Sequence, residues 1–185
     1  METFNEKNYR IRQERPEDIP TVKVLIESAF RDIAESDHKE HLLVERLRHS
    51  EAFIPELSLV AESPKGEIVG HILLTRVRIV SAAGKETLSL GVAPLSVLPA
   101  WQRMGIGSAL VLEAHRCAAA LNYRSAVLLG HKDYYPRLGY RKASSWNITF
   151  PYDVPEDCCM AIELCPGGLE GVQGMVCYDK AFEEV

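Results

Sequence analysis

The feature that most constrains this chain is a short glycine-bearing loop past its middle. Residues 102–107 read Gln-Arg-Met-Gly-Ile-Gly, between a strand-like segment that ends at Val97 and a helical pattern that begins at Ile106. At such a junction, unpaired backbone N–H groups and the positive end of the helix dipole coincide, which favours binding of an anion. Because Gly105 and Gly107 have no Cβ, phosphate oxygens can approach the backbone closely. The loop therefore predicts a pyrophosphate site.

Two better-known nucleotide-binding patterns do not fit this loop. A Walker loop requires Gly-Lys-Ser or Gly-Lys-Thr, and neither occurs in the chain. A dinucleotide loop requires a third glycine and a place directly after the first strand, whereas here there are two glycines, far from the first strand. A nucleotide-binding oxidoreductase is consequently the weakest of the functional alternatives.

The segments around the loop predict one domain that occupies residues 1–185. Before the loop they indicate a strand, two helices and a three-stranded meander, in which Pro94 predicts a bulge or a break in pairing. After the loop they indicate a helix that ends near Asn122, a buried strand, a helical turn ended by Gly139 and two further strands. The predicted strands are residues 9–14, 57–62, 67–80, 87–97, 125–129, 160–164 and 175–178. The stripe that the long helix is expected to bury consists of Ile106, Leu110, Ala114, Cys117 and Leu121.

Two motifs in this order resemble those of the GNAT superfamily of acetyl-CoA-dependent N-acetyltransferases. Gln102-x-x-Gly105-x-Gly107, with its Leu-Ser-Val-Leu-Pro lead-in, resembles the acyl-CoA pyrophosphate motif of that family. Further along, Tyr135-Pro-Arg-Leu-Gly139-Tyr resembles its Tyr-x-x-x-Gly-Phe element. The resemblance covers residues 9–146 and implies an α/β (α+β) GNAT fold. That fold is a mixed, mostly antiparallel sheet of six to seven strands, splayed at the end of the strand that precedes the loop and flanked by about four helices.

The resemblance also implies a reaction and roles for particular residues. Acetyl-CoA would be the co-substrate, and its acetyl group would pass by direct attack in a ternary complex to a primary amine on a small-molecule or protein acceptor. The Val97 amide would stabilise the oxyanion, and the Tyr135 hydroxyl would protonate the departing thiolate. The residues expected to bind the cofactor are Leu95, Ser96 and Val97 along the pantetheine arm, and Gln102, Arg103, Met104, Gly105, Ile106, Gly107 and Ser108 around the pyrophosphate.

The sequence departs from the family pattern at two places. The strand over residues 87–97 contains no titratable side chain that could deprotonate the amine, and Gly-His-Lys-Asp at residues 130–133 replaces the family's usual asparagine. A non-catalytic module that binds or senses acetyl-CoA therefore stays open as an alternative, although Tyr135 counts against it. Candidate bases elsewhere, each more simply explained as a surface or strand residue, are Glu27, His38, His41, Glu45, His71 and His131.

Composition limits the partners and the location of the protein. The formal charge of −5 argues against nucleic acid, and no apolar stretch approaches the length of a membrane span. The amino terminus lacks the profile of a signal peptide, so a cytoplasmic location is expected. The resemblance allows a homodimer, with the C-terminal segment at its interface.

The remaining metal-binding and redox residue types receive ordinary interpretations. His38-x-x-His41 lacks a third ligand at a convincing spacing, so no metal site is predicted. The five cysteines are odd in number and form no Cys-x-x-Cys pair, which favours reduced thiols that act as small buried hydrophobes.

Overall fold

The computed structural model describes residues 9–183, in which three α-helices pack on a single sheet of nine strands. The helices are α1 (Ile19–Phe30), α2 (Glu40–Arg48) and α3 (Ile106–Ala120). The strands are β1 (Arg10–Gln13), β2 (Ser58–Glu62), β3 (Ile68–Val80), β4 (Glu86–Val97), β5 (Ser125–Leu129), β6 (Arg141–Lys142), β7 (Ile148–Thr149), β8 (Cys159–Glu163) and β9 (Gly174–Cys177).

The sheet is mixed and mostly antiparallel, as the sequence predicts. Its order is β1-β2-β3-β4-β5-β8-β6, and β9 pairs with the end of β3 and with β7. Parallel pairing occurs between β4 and β5 and between β7 and β9. The strand count exceeds the predicted six to seven because β6 and β7 have two residues each, too few to show an alternating pattern. The predicted fourth helix is the 3-10 turn Tyr135–Leu138.

The sheet opens between β4 and β5. The ladder that joins them contains two residue pairs and ends at Gly91 and Val127. Beyond this point the register of β4 against β3 shifts between Ile72 and Leu74, next to Pro94. Proline has no N–H to donate to a ladder, and a bulge bends the strand that carries it. The predicted bulge at Pro94 and the predicted splay of the sheet are both confirmed.

Helix α3 covers one face of the sheet. At Gly70 of β3, a Cβ would lie 3.0 Å from side-chain atoms of both Ile106 and Leu110, so a glycine there lets the helix approach closely. Most of the predicted stripe is buried. Leu121, however, is 40% exposed, because the helix ends at Ala120 and the chain turns away through Asn122 at a φ of 66°.

The opposite face of the sheet carries two separate hydrophobic clusters. Alternation along β3 sends Leu73 into the first cluster and Val77 into the second, whereas Ile72 and Leu74 point towards α3. The α1–α2 cluster contains Val22, Leu25, Ile26, Val44, Leu47, Val60, Ile68, Leu73 and Ala181. The C-terminal cluster contains Val77, Ile79, Val127, Ala143, Ile148, Ala161, Leu169 and Val176. Between the two lies a seam at Thr75, which belongs to neither cluster.

Two further predictions concern thiols and membranes. All five cysteines are unpaired, as expected, but none is fully buried; Cys117 and Cys159 pack against the hydrophobic clusters from their edges. No helix within residues 9–183 combines the length and the apolar character that a bilayer crossing requires.

Candidate active site

A cavity of about 560 Å³ lies where the end of β4 meets the start of α3. It brings together eight of the ten residues predicted to bind a cofactor. The two others do not line it: Ser96 is 3% exposed between the strands, and Met104 is 50% exposed to solvent. The lining residues are Leu95, Val97, Trp101, Gln102, Arg103, Gly105, Ile106, Gly107, Ser108, Tyr134 and Arg137.

The glycine loop forms the floor of this cavity. Gly105 precedes the helix with a φ of 80°, a left-handed conformation that favours glycine. The first intrahelical hydrogen bond runs from the Ala109 N–H to the Gly105 carbonyl, so the N–H groups of the preceding turn have no partner within the helix. The Gln102 side chain ties the loop to β4 by donating from Nε2 to the Val97 carbonyl at 3.1 Å. These features form the anion site that the sequence predicts.

The edge of β4 that faces the cavity is open. The Leu98 N–H donates to the Val69 carbonyl of β3 at 3.0 Å. Since antiparallel pairs alternate, Leu95 and Val97 must then turn their N–H and C=O groups away from β3, towards the side that β5 has left. An extended ligand arm can pair with this edge as an added strand does.

Tyr134 is a cavity residue that sequence reasoning missed. Its hydroxyl lies 3.2 Å from Ser108 Oγ and 2.8 Å from the position that a Cβ on Gly107 would take. The sequence offers no pattern that separates it from Tyr135, and Tyr134 is more simply interpreted there as a core aromatic. Trp101 and Arg137 also line the cavity without having been predicted.

Tyr135 lies behind Tyr134 rather than on the cavity wall. Its ring packs edge-on against Tyr134, with centroids 5.0 Å apart, and against Tyr140, with centroids 5.6 Å apart. No residue within the described part of the chain hydrogen bonds its hydroxyl. Burial raises the pKa of Tyr135 above its ordinary value, so the hydroxyl stays protonated at neutral pH.

The charge around the cavity is positive. Arg103 and Arg137 line it, and among its described lining residues there is no carboxylate. The Arg137 guanidinium is held by donation from Nε to the Asp133 carbonyl at 2.9 Å. Together with the start of α3, this arrangement suits a group with two or more negative charges.

The six candidate bases lie outside this cavity. Five of them have local partners that account for them. His41 Nε2 lies 3.3 Å from Glu27 Oε1, and His38 Nδ1 lies 3.0 Å from a backbone carbonyl at the end of α1. Glu45 pairs loosely with a lysine, and His131 is exposed beside an aspartate. Their positions do not suit them to take a proton from an amine in the cleft.

His71 is fully buried on the face opposite α3. The Ser58 hydroxyl donates to Glu14 Oε2 at 2.7 Å, so its oxygen can only accept from His71 Nε2, 3.1 Å away. This fixes the tautomer with the proton on Nε2 and leaves Nδ1 without a described partner. Burial lowers the pKa of His71 to about 4, so the ring is neutral at pH 7.

Comparison with known proteins identifies the family. Residues 55–142 match the acetyltransferase (GNAT) domain. The crystal structure of a GNAT family acetyltransferase from Brucella melitensis in complex with acetyl-CoA superimposes with a TM-score of 0.77 at 34% identity, covering 96% of this chain and 99% of that one. The structure of the Escherichia coli GNAT family N-acetyltransferase YhbS in complex with CoA superimposes with a TM-score of 0.85 at 27% identity, covering 98% and 95% of the two chains. The uncharacterized N-acetyltransferase YjhQ of Escherichia coli (strain K12) is 35% identical over 64% of this chain and 65% of its own length.

The chain belongs to the GNAT family of acetyltransferases. Its activity is that of an N-acetyltransferase, and the enzyme class and fold predicted from the sequence are confirmed.

Proposed function

We propose that this protein transfers the acetyl group of acetyl-CoA to a primary amine of a small-molecule or protein acceptor, by direct attack in a ternary complex. The observation that carries the proposal is the continuity of the open β4 edge with the anion-binding start of α3 in one cavity. Acetyl-CoA is the co-substrate, in keeping with the CoA and acetyl-CoA complexes of two relatives. A sensing module without catalysis is not favoured, because these relatives are acetyltransferases.

Within this proposal the cofactor lies along the cavity in a defined direction. The amides of residues 102–107 and the Ser108 hydroxyl hold the pyrophosphate, and the Leu95–Val97 edge, with Ser96 at its centre, pairs with the pantetheine arm. The thioester then lies beyond Leu95, towards Gly91. The predicted oxyanion donor, the Val97 N–H, lies on the open edge but on the pyrophosphate side of Leu95. In this placement the Leu95 N–H, on the same edge and nearer the thioester, takes that role.

Two tyrosines compete for the role of the acid that protonates the thiolate. Tyr135 is our proposed donor, on the family motif, and its raised pKa keeps its proton available. Tyr134 is the rival, since its hydroxyl lies in the cavity. We assign Tyr134 to the cofactor phosphates because it is placed beside Ser108 and Gly107.

The amine needs no protein base in this proposal. None of the six candidate bases lines the cofactor cavity, and His71, on the face opposite α3, is fully buried. The amine therefore binds in its neutral form or loses its proton to water. A lysine-like amine is neutral to about one part in a thousand near pH 7.4. The rate should therefore rise about tenfold per pH unit below the pKa of the acceptor.

The experiment that tests the proposal has two stages. Thermal unfolding with acetyl-CoA, against NAD as a control, tests cofactor binding; about 2.7 kcal/mol of stabilisation is expected at a hundred times the dissociation constant. Release of free CoA thiol over a panel of primary amines then tests transfer. A shift in melting temperature without thiol release from any amine would favour the sensing module, and the absence of a shift would refute cofactor binding.

The proposal also includes the expected domain organisation, location and partners of the protein. The continuous sheet from β1 to β9 supports a single domain over residues 1–185. A cytoplasmic location, the absence of nucleic-acid and membrane partners, and a homodimer stay predictions from the sequence.

A further inference from the structure

The face from which an acceptor reaches the thioester follows from the packing of the sheet. On one face of the splay, α3 and its core fill the space from Ile106 to Ala118. An amine must therefore approach from the other face, the one that carries the α1–α2 and C-terminal clusters. The seam between these clusters lies at Thr75. The cross-strand partner of Thr75 is Gly91, the last residue of β4 that pairs with β5.

A tyrosine from the end of the chain fills this seam. A Cβ on Gly91 would lie 3.5 Å from Cε1 of Tyr178, so the Tyr178 ring packs over the glycine, where β4 has no side chain. Burial raises the pKa of Tyr178 above its ordinary value, and its hydroxyl has no hydrogen-bond partner in residues 9–183. The hydroxyl is thus neutral, and no other residue of 9–183 hydrogen bonds it on the acceptor side of the splay.

Aromatic rings surround Tyr178. Its ring centroid lies 4.8 Å from that of Phe182, 5.6 Å from that of Tyr152 and 6.5 Å from that of Phe150. Tyr152 is 44% exposed, which places it at the solvent side of the group. These four residues, Phe150, Tyr152, Tyr178 and Phe182, form the aromatic cluster.

Thr75 supplies a second, independent observation at the same place. It lies opposite Gly91, and directly opposed side chains share a face of the sheet. Its hydroxyl is fully buried, and within the described part of the chain nothing hydrogen bonds it. An unsatisfied buried hydroxyl is unfavourable in the absence of a partner, so a ligand that supplies an N–H or carbonyl group would be favoured here.

We propose that the aromatic cluster and Thr75 form the acceptor subsite, and that the acceptor is a primary amine attached to an aromatic or apolar group. This inference rests on the proposed acetyl transfer. Planar rings bury apolar surface and stack on one another with specific geometry, which favours an aromatic or apolar group on the acceptor. Tyr178, whose ring packs over Gly91, is in this view a positioning residue that forms the wall on which the acceptor stacks, opposite the thioester.

Steady-state release of CoA thiol tests the inference with two amines of contrasting character. 2-Phenylethylamine should have a kcat/KM at least about tenfold above that of spermidine, because a matched apolar pocket discriminates to about this extent. Tyr178→Leu, which removes the ring and keeps the apolar volume, should raise the KM for 2-phenylethylamine about five- to tenfold. Affinity for acetyl-CoA should be unchanged, and Leu112→Ala, an exposed position on α3, is the control.

Thr75→Val is the variant that separates a binding role from a structural one. It keeps the branched shape and removes the unsatisfied hydroxyl, so the melting temperature should stay constant or rise. The KM for the amine should nonetheless increase. Unchanged KM values in both variants, or a preference for spermidine, would overturn the subsite.

Calorimetric measurement of 2-phenylethylamine binding to the CoA-saturated protein distinguishes failure of the acceptor subsite from failure of acetyl transfer. If the amine binds to the wild type and not to Tyr178→Leu while no amine is acetylated, the subsite stands and acetyl transfer fails. If amines are acetylated with the same KM in wild type and variant, acetyl transfer stands and the subsite fails.

Discussion

On one side of β4 the cleft is lined by residues that are close in sequence, the loop over residues 102–107 and the first turn of α3, which together form the donor wall. On the other side the proposed acceptor wall consists of Thr75 of β3, the cross-strand partner of Gly91, and of Tyr178, which packs over Gly91. The two lie about a hundred residues apart in the chain and only the fold brings them together. The family match over residues 55–142 contains the donor wall and ends before Tyr178. The donor wall is therefore local and lies within the matched segment, whereas the proposed acceptor wall joins Thr75, inside that segment, to Tyr178, outside it.

The largest expected effect is on the donor wall, at Gly107. Gly107→Val places a branched Cβ against the Tyr134 hydroxyl and the phosphate path. Loss of two charge-assisted hydrogen bonds, at about 1.5–3 kcal/mol each, should weaken acetyl-CoA binding about a hundredfold or more. Calorimetric affinity is the measurement, on protein with normal circular dichroism and with Leu112→Val on the same helix as control. Unchanged affinity would remove the pyrophosphate from this loop.

One histidine on each face of the sheet should make the free energy of unfolding depend on pH. His71 lies on the acceptor face and His115 on α3, where Nε2 lies 2.8 Å from the Tyr140 hydroxyl; burial lowers the pKa of each to about 4. The unfolded chain takes up these protons below about pH 6.5 and the folded chain does not, so each ring stabilises the fold above pH 6.5. This contribution is lost as the pH falls towards 4, and for His71 it amounts to roughly 3 kcal/mol.

Denaturant unfolding between pH 7 and pH 4 measures this effect. His71→Gln retains an amide donor for Ser58 and removes the titration, so its free energy of unfolding should fall less steeply with acid than that of the wild type. His115→Gln is the matched variant on the other face and should show a similar relief, since burial lowers the pKa of this ring to about the same value. A wild-type slope in both variants would show that these rings take up protons in the fold as readily as in the unfolded chain.

Variants of the two adjacent tyrosines test which hydroxyl protonates the departing thiolate. Tyr135→Phe should lower kcat about a hundredfold, the low end for general acid catalysis, and leave acetyl-CoA affinity nearly unchanged. Tyr134→Phe should do the reverse, with kcat preserved and affinity reduced about three- to tenfold by the loss of one hydrogen bond. If Tyr134 proves to be the variant with reduced kcat, the acid is the hydroxyl that lies in the cavity.

Much of the donor wall was predictable because its signals are local. Glycines, a proline and a helical stripe lie within some thirty residues, and each acts on its own backbone: Gly105 through its left-handed φ, Pro94 through its missing N–H. The same local rules did not separate Tyr134 from Tyr135, since neighbours in a short turn share the same pattern. The packing of Tyr135 against Tyr140 and of Tyr134 against Ser108 made the distinction.

The sequence by itself determined the order of the elements, the anion-binding loop and the family of this protein, because backbone geometry and periodicity are properties of consecutive residues. Only the tertiary structure decided that β9 follows β2 along the same edge of β3, that Tyr178 covers Gly91, and that Ser58 joins Glu14 to His71. These contacts join residues far apart in the chain, and their partners are chosen by burial and shape across the sheet, which no local pattern encodes.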